Sequence, residues 1–192
     1  MQSPALKKSD MTTMQRFVLL AAVLLLSACA ANRVRVGQPG IVLSPASLGE
    51  TVSVLQRILV EHGERADTID IVLEIDSERL NLVGLVLGNR ALSVYYDGST
   101  LTSWRHVLLP NHVRAEDVLE NLQLALWPLD VIKKTLPPDW QIKECSASRT
   151  LYLKGEKIID IRYSGHPRWI GTIMFTNARY GYTLSIQSAL IE

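Results

Sequence analysis

The stretch Leu80-Asn81-Leu82-Val83-Gly84-Leu85-Val86-Leu87 decides the fold that this sequence predicts. Successive side chains of a strand point to opposite faces, and these residues are apolar on both. A strand of this kind is expected to be covered on its two sides. Residues 80–87 therefore predict a sheet with a strand buried within it.

The residues on either side of this stretch continue the sheet. Upstream, Ile69, Leu73 and Ile75 oppose Asp70 and Glu74, a clear alternation with period two. Downstream, short turns separate further alternating segments, and Asp97-Gly98 is a strong hairpin signal. These segments predict an antiparallel meander of about five strands, in which the others are residues 52–60, 92–96 and 101–105.

A helical pair interrupts the strands. Apolar residues recur at spacings of three and four from Val118 to Leu126, with Glu116 and Asp117 in the first turn, where the helix dipole favours negative charge. Trp127-Pro128 ends or kinks this helix, and a second short helix is predicted over residues 129–136. Strands then return, at residues 151–153, 158–163, 171–176 and 182–191. This order predicts an α+β fold.

The N-terminal region indicates export and attachment to a membrane. Basic residues precede ten uncharged residues, 17–26, which are too short a run for a helix that spans the hydrocarbon. Leu26-Ser27-Ala28-Cys29 follows and resembles the lipobox of bacterial lipoproteins. The resemblance implies that residues 1–28 are a signal peptide and that Cys29 is the acylated first residue of the mature chain. The alternatives are an ordinary secretory signal with a coincidental cysteine, or an uncleaved anchor.

Residues 29–49 are predicted to be a lipidated flexible tether outside the core, because glycine and proline recur there without a clear period. Residues 50–192 are then the folded domain. In enterobacterial lipoproteins an aspartate after the cysteine resembles an inner-membrane retention signal, and this chain has Ala30. The family expectation is the outer membrane of a Gram-negative bacterium, on its periplasmic face. Cys145, the second of two cysteines, is predicted to be a buried apolar residue without a disulfide.

Composition and motifs exclude several function classes. The chain has 20 basic and 19 acidic side chains and a formal charge of +1, which gives no reason to expect nucleic acid. It has no HExxH motif, no G-x-S-x-G motif and no glycine-rich phosphate loop. We therefore expect no enzyme activity, no metal and no cofactor. Asp70, Glu74 and Asp76 share a strand face that could collect a cation, although solvated carboxylates explain them more simply.

A wider resemblance covers residues 55–192. A lipobox, a meander, a helical pair with a Trp-Pro break and a second meander together resemble the lipoprotein carriers of the LolA/LolB type. Tyr95-Tyr96-Asp97-Gly98, Trp127-Pro128 and residues 177–182 resemble a family of bacterial lipoproteins of unknown function, often found in aryl-polyene biosynthesis clusters. The resemblance implies a curved antiparallel half-barrel, with the inserted helical pair covering its concave face over an apolar cavity.

Two functions are consistent with this interpretation. The first is an outer-membrane-anchored periplasmic lipoprotein that binds or transfers a lipid-like cargo, namely an acyl chain, a polyene or a lipoprotein. The second is a structural or scaffolding lipoprotein that binds other envelope proteins and no small molecule. For the first function, the candidate cavity-lining residues are Leu82, Val86, Val94, Tyr96, Leu119, Leu122, Leu126 and Trp127.

The lipobox predicts that Cys29 carries the anchor. Substituting Cys29→Ala is expected to abolish metabolic labelling by a fatty-acid analogue, together with the mobility shift that signal-peptide cleavage causes. Cys145→Ala, the matched change at the other cysteine, should leave both unchanged. Labelling that persists in Cys29→Ala would place the anchor elsewhere in the chain.

Overall fold

A computed structural model describes residues 38–110 and 113–191. The predicted signal peptide, Cys29 and the first part of the tether lie outside these residues. The described chain contains two helices, α1 (Ala115–Leu126) and α2 (Leu129–Thr135), and a short 3₁₀ turn, Pro45–Leu48. Its ten strands are β1 (Val52–His62), β2 (Arg65–Ile75), β3 (Leu80–Val86), β4 (Asn89–Tyr96), β5 (Leu101–Arg105), β6 (Trp140–Cys145), β7 (Ser148–Leu153), β8 (Glu156–Tyr163), β9 (Gly171–Asn177) and β10 (Tyr182–Leu190).

All ten strands form one antiparallel sheet, in the order β5-β4-β3-β2-β1-β10-β9-β8-β7-β6. Two meanders, β1 to β5 and β6 to β10, are joined where β1 pairs with β10, from Val54 opposite Leu190 to His62 opposite Tyr182. The sheet is curved. It is also open, because β5 and β6 do not pair with each other and form its two edges. Helices α1 and α2 lie in the chain between these two strands. The predicted α+β class and the order of strands, helices and strands are confirmed.

Strand β6 was not predicted from the sequence. Only Trp140 and Ile142 of its six residues are buried, so its alternation is short. The prediction that residues 80–87 are covered on both faces is also wrong. Leu80 and Leu82 are buried, whereas Val83, on the opposite face, is only partly buried. We call the face that packs against the helices the inner face and the other the outer face.

Residues 38–48, which we call the N-terminal strap, belong to the core. Ile41, Leu43 and Leu48 are buried in the cluster that also contains the helices and the inner face of the sheet. The prediction that the tether extends to residue 49 outside the core is therefore wrong for these residues. Glycine and proline break the period of the strap, and its three buried apolar side chains are too few to produce a recognisable pattern.

The side chains of helix α1 hold the strap in place. The Gln123 amide donates to the carbonyl of Leu43 at 2.8 Å and accepts from the N–H of the same residue at 3.0 Å. Glu120 accepts from the N–H of Ile41 at 2.9 Å. The indole of Trp127 donates to the carbonyl of Ser44 at 3.1 Å. Four backbone groups of the strap are thus satisfied by side chains of α1 and of Trp127, the residue that follows it, as a buried segment requires.

Arg149 ties the end of α1 to the second meander. Its side chain is fully buried, donates to the carbonyl of Leu124, and pairs with Glu144 at 2.7 Å. Arg168 approaches Glu144 at 2.6 Å. Burial alone would raise the pKa of Glu144, but the two arginines hold it below its ordinary value. The neighbouring Cys145 is exposed at the end of β6 beside a turn, so the prediction that it is buried is wrong.

The Gln123 contacts predict a large effect of one substitution. Gln123→Met keeps the side-chain volume but leaves the buried N–H and carbonyl of Leu43 without partners. Each of these two groups costs about 1–3 kcal/mol, so the free energy of unfolding should fall by roughly 2–6 kcal/mol. Urea denaturation of the full chain measures it. Gln187→Met, at an exposed position of β10, should change it by less than about 0.5 kcal/mol. Equal effects of the two substitutions would show that the strap is not held by Gln123.

Candidate functional site

Most of the predicted cavity-lining residues are packed together. From the sheet, Leu82, Val94 and Tyr96 lie buried on the inner face, and Val94 directly faces Leu82 across β3 and β4. From the helical segment, Leu119, Leu126 and Trp127 are buried in the same cluster. These six side chains are all part of the packed core between α1 and the inner face of the sheet.

Val86 and Leu122 differ from the other six. Val86 is the last residue of β3, beyond a register shift between β3 and β4 at Gly84/Leu85, and it is 41% exposed. Leu122 lies on α1 and is only partly buried, although it packs against the core. The structure therefore leaves an incompletely covered region next to Leu122.

We call the mouth a set of five apolar side chains from α1 and from the inner face of the sheet, where the Asn121 amide donates to the hydroxyl of Tyr182 and so joins α1 to β10. Three come from the inner face. Ile58 of β1 lies opposite Ile69 of β2, and Leu184 of β10 is two residues before the residue that lies opposite Ile58. Val118 and Leu122 come from α1. All five are partly exposed and pack against the buried cluster. The side chains of the mouth thus extend the core to the surface of the protein: Ile58, Ile69, Val118, Leu122 and Leu184.

Gly84 shapes the wall of the mouth. A Cβ atom at this position of β3 would lie 2.8 Å from Cδ1 of Ile69 and 3.1 Å from Cδ1 of Ile71. Real Cβ atoms do not approach other atoms at the shorter distance, so the glycine makes the room that the Ile69 side chain occupies. The absence of a side chain in β3 therefore sets how far Ile69 leans across the inner face.

A polar group lies beside the mouth. The hydroxyl of Tyr182, two residues before Leu184, accepts a hydrogen bond from the Asn121 amide at 2.9 Å, which links β10 to α1. Burial raises the pKa of Tyr182 to about 12, although the Asn121 hydrogen bond opposes the shift. Its ring stacks on Phe175. The mouth therefore offers a neutral hydrogen-bonding group at neutral pH and an otherwise apolar surface.

Two other features do not match an apolar site. A groove of about 260 Å³ on the outer face of β8 and β9 has three charged residues among the seven that line it, and Asp160 pairs there with Lys157 and Arg162. Of the three carboxylates that share a face of β2 and the residue after it, Asp70 pairs with Arg57 at 2.9 Å, and Asp76 accepts from backbone N–H groups. These two therefore have local partners.

Residues 38–110 and 113–191 contain no group of three or more His, Cys, Asp and Glu side chains suited to a metal ion. In the same ranges, no helix is long and apolar enough to cross a membrane.

Leu87 is an exposed residue whose position the sequence did not reveal. It was predicted within the strand, but β3 ends at Val86, and Leu87 with Gly88 forms the turn to Asn89. Its φ of 50° is in the left-handed region, which costs a leucine about 1–2 kcal/mol, and its side chain is 95% exposed. The adjacent Gly88-Asn89 was the available signal, since two-residue hairpin turns need positive φ.

The family comparison covers the sheet and both helices. A family model described as "Protein of unknown function (DUF3261)" matches residues 53–190. The matched range begins one residue inside β1, ends with β10 and leaves out the strap. No curated protein matches the chain.

The mouth predicts different costs for two leucines on the same helix. Leu119 is 3% exposed, so Leu119→Ala should lower the free energy of unfolding by roughly 2–5 kcal/mol. Leu122→Ala should cost less than about 2 kcal/mol, because its side chain borders solvent and leaves a smaller cavity. Urea denaturation of the full chain compares them. Equal, large penalties would show that the mouth is closed.

Proposed function

Because the chain belongs to the DUF3261 family, whose description states no activity, we propose a function for it from its sheet and mouth. It is an outer-membrane-anchored periplasmic lipoprotein that binds or transfers a lipid-like cargo. The open, curved sheet with its helices supports a half-barrel of the LolA/LolB type. Cys29 is the anchor in this proposal, and the periplasmic face of the outer membrane is the location.

The observation that carries the proposal is the partial exposure of the five mouth residues. Apolar side chains that continue a core to the surface leave apolar area exposed to water, and covering that area with an apolar ligand is favourable. An acyl chain is unbranched and apolar, so it suits the apolar side chains of the mouth. Each buried methylene contributes about 0.8 kcal/mol, so eight of them would contribute roughly 6 kcal/mol before the cost of ordering the chain.

The packing of the interior restricts the cargo. Leu119, Leu126 and Trp127 are buried in the core, so in this proposal the cargo lies at the mouth and does not fill the interior. This favours one acyl or polyene chain, free or attached to a lipoprotein. The neutral hydroxyl of Tyr182 can accept a hydrogen bond from the polar end of such a molecule. No charge in the mouth requires a counter-charge on the cargo.

The exposed apex of the β3–β4 turn supports transfer as well as binding. Leu87 presents an apolar side chain to solvent in a backbone conformation that is unfavourable for it. Strained backbone of this kind clusters at functional sites. Contact with a membrane or with a second lipid-binding protein would bury this side chain during transfer.

The scaffolding alternative has its own support. Six of the eight predicted lining residues are fully packed, so the interior is filled mainly by the protein itself. On the outer face, Leu55 is 50% exposed and lies opposite Val72 of β2, which lies opposite Val83 of β3. This apolar row across three strands suits another envelope protein. In this alternative the mouth binds no lipid.

Photo-crosslinking in cells separates the two functions. A fatty acid that carries a diazirine is incorporated into the lipids of cells expressing the full chain, and crosslinked peptides are mapped by mass spectrometry. We expect crosslinks on the peptides that contain Val118, Leu122 and Leu184. Leu184→Trp should reduce them at least fivefold, because the larger side chain occupies the mouth.

The control is Leu59→Trp, the same change at a leucine on the outer face of β1, which is 37% exposed. It should leave the crosslinks at the mouth unchanged. Crosslinks confined to the acylated N-terminal peptide, with none at the mouth, would exclude the cargo proposal and favour the scaffold.

A further inference from the structure

We propose that Asn121, Asn177 and Tyr182 form a subsite for the polar end of the cargo, and that this polar end is a secondary amide next to an acyl chain. Asn177 donates to the carbonyl of the amide, and Asn121 accepts from its N–H. This inference rests on the proposed function, because the mouth must first hold the acyl chain. It adds the chemical class of the headgroup, which the apolar side chains of the mouth do not specify.

The hydroxyl of Tyr182 is the centre of the subsite. Tyr182 lies on the inner face of β10, two residues before Leu184 of the mouth. The Asn121 amide, next to Leu122 on α1, donates to the hydroxyl at 2.9 Å, and Asn177 of β9 lies directly opposite Tyr182 in the sheet. Both amides oppose the rise in the pKa of Tyr182, so both are close to its hydroxyl. Three polar side chains from three elements therefore meet beside the mouth.

Asn177 holds a donor that has no acceptor. Its side chain is fully buried, and its Oδ1 accepts from the backbone N–H groups of Arg179 and Tyr180, both at 3.1 Å. These two bonds fix the orientation of the amide, so Nδ2 is the atom left for another partner. Among the residues that the structure describes, Nδ2 has no hydrogen-bond partner. Buried groups of this kind are rare in folded proteins, and this one is suited to an acceptor from outside the chain.

Asn121 supplies the complementary acceptor. Its Nδ2 donates to Tyr182, whereas its Oδ1 is buried and has no partner within residues 38–110 and 113–191. Turning the amide over would exchange these two atoms and would still leave one of them without a partner. One buried donor and one buried acceptor thus lie beside the same hydroxyl. A ligand group that both accepts and donates satisfies the two together, and a secondary amide has one C=O and one N–H for this.

The charge near the subsite disfavours an anionic headgroup. Asp117 lies one turn before Asn121 on α1 and raises the pKa of Tyr182, so its negative charge acts at the hydroxyl. The same charge would repel a carboxylate bound there. A carboxylate also lacks an N–H for Oδ1 of Asn121, and so does an ester. The amide is therefore the one of these three acyl headgroups that pairs with both atoms.

Protein atoms cover the two unpaired atoms in this structure, and Asn121 as a residue is only partly buried. Entry of the amide therefore requires the Asn121 side chain to leave its contact with Tyr182. That movement breaks one hydrogen bond, and the ligand forms two, with Asn177 and with Asn121. The exchange favours a ligand that can make both bonds over one that can make a single bond.

Photoreactive probes that differ only in their polar end test the subsite. They share one alkyl chain with a diazirine and end in an N-methyl amide, a methyl ester or a carboxylate; the first two have nearly the same shape. Each is added to the acylated full chain in nanodiscs at about pH 8, where the carboxylate is ionised. Crosslinks on the peptides that contain Val118, Leu122 and Leu184 are quantified by mass spectrometry. The amide should give about five- to tenfold more of them than the ester or the carboxylate, as expected for one added buried hydrogen bond.

One substitution separates the subsite from the mouth. Asn121→Leu keeps the shape of the side chain and removes its acceptor. Crosslinking by the amide should then fall to the level of the ester, and crosslinking by the ester should stay unchanged. The matched control is Asn81→Leu, the same change at a partly buried asparagine on the outer face of β3, which should alter none of the three probes. Far-ultraviolet circular dichroism checks that both variants are folded.

The outcomes distinguish this inference from the proposed function. Equal crosslinking by the three probes, or a preference for the amide that survives Asn121→Leu, would overturn the subsite and leave the binding of an acyl chain intact. An equal loss of all three in Asn121→Leu would also overturn it, because Asn121 would then shape the mouth without binding the headgroup. Crosslinks absent from the mouth with every probe would overturn the proposed function together with the subsite.

Discussion

The pairing of β1 with β10 is the constraint on which the rest of the structure depends. It joins the first strand to the last, and nine residue pairs in register make one sheet from two meanders. It also determines that β5 and β6 become the edges, so the chain between them must cross the inner face. Helix α1 therefore lies where its side chains can reach both meanders and the strap. The position of the mouth follows, because β1 and β10 supply two of its walls.

The filled interior and the open mouth arise from the same helix. One side of α1 carries Gln123 and Leu119, which hold the strap and the core. The side with Val118 and Leu122 is left partly exposed, because the strap does not cover it. A single helix thus separates a region that stabilises the fold from a region of apolar side chains that stays partly exposed. This division explains why the lipid-carrier and scaffold interpretations each find support in one structure.

The sequence predicts the sheet better than the site, for physical reasons. Alternation at Ile69 to Ile75 depends only on which residues face water, so local sequence is enough to identify the strand. What covers a face depends on distant residues, and nothing near Leu82 indicates that Trp127 and the strap fill the space in front of it. The strap itself was missed because Ile41 and Leu43 obtain their hydrogen bonds from a helix about 80 residues away. Leu87 was assigned to a strand because its apolar character outweighed the turn signal beside it.

The two unpaired edges of the sheet have a mechanical consequence. Strands β5 and β6 are linked to each other through α1 and α2, and hydrogen bonds between strands run without interruption from one edge to the other. The curvature of such a sheet can change by small rotations between neighbouring strands, without breaking any pair. The resistance to bending then comes mainly from helix packing and from the strap. Bending of the sheet would then be resisted mainly by the packing of α1. The width of the mouth would be the distance that changes most when the sheet bends.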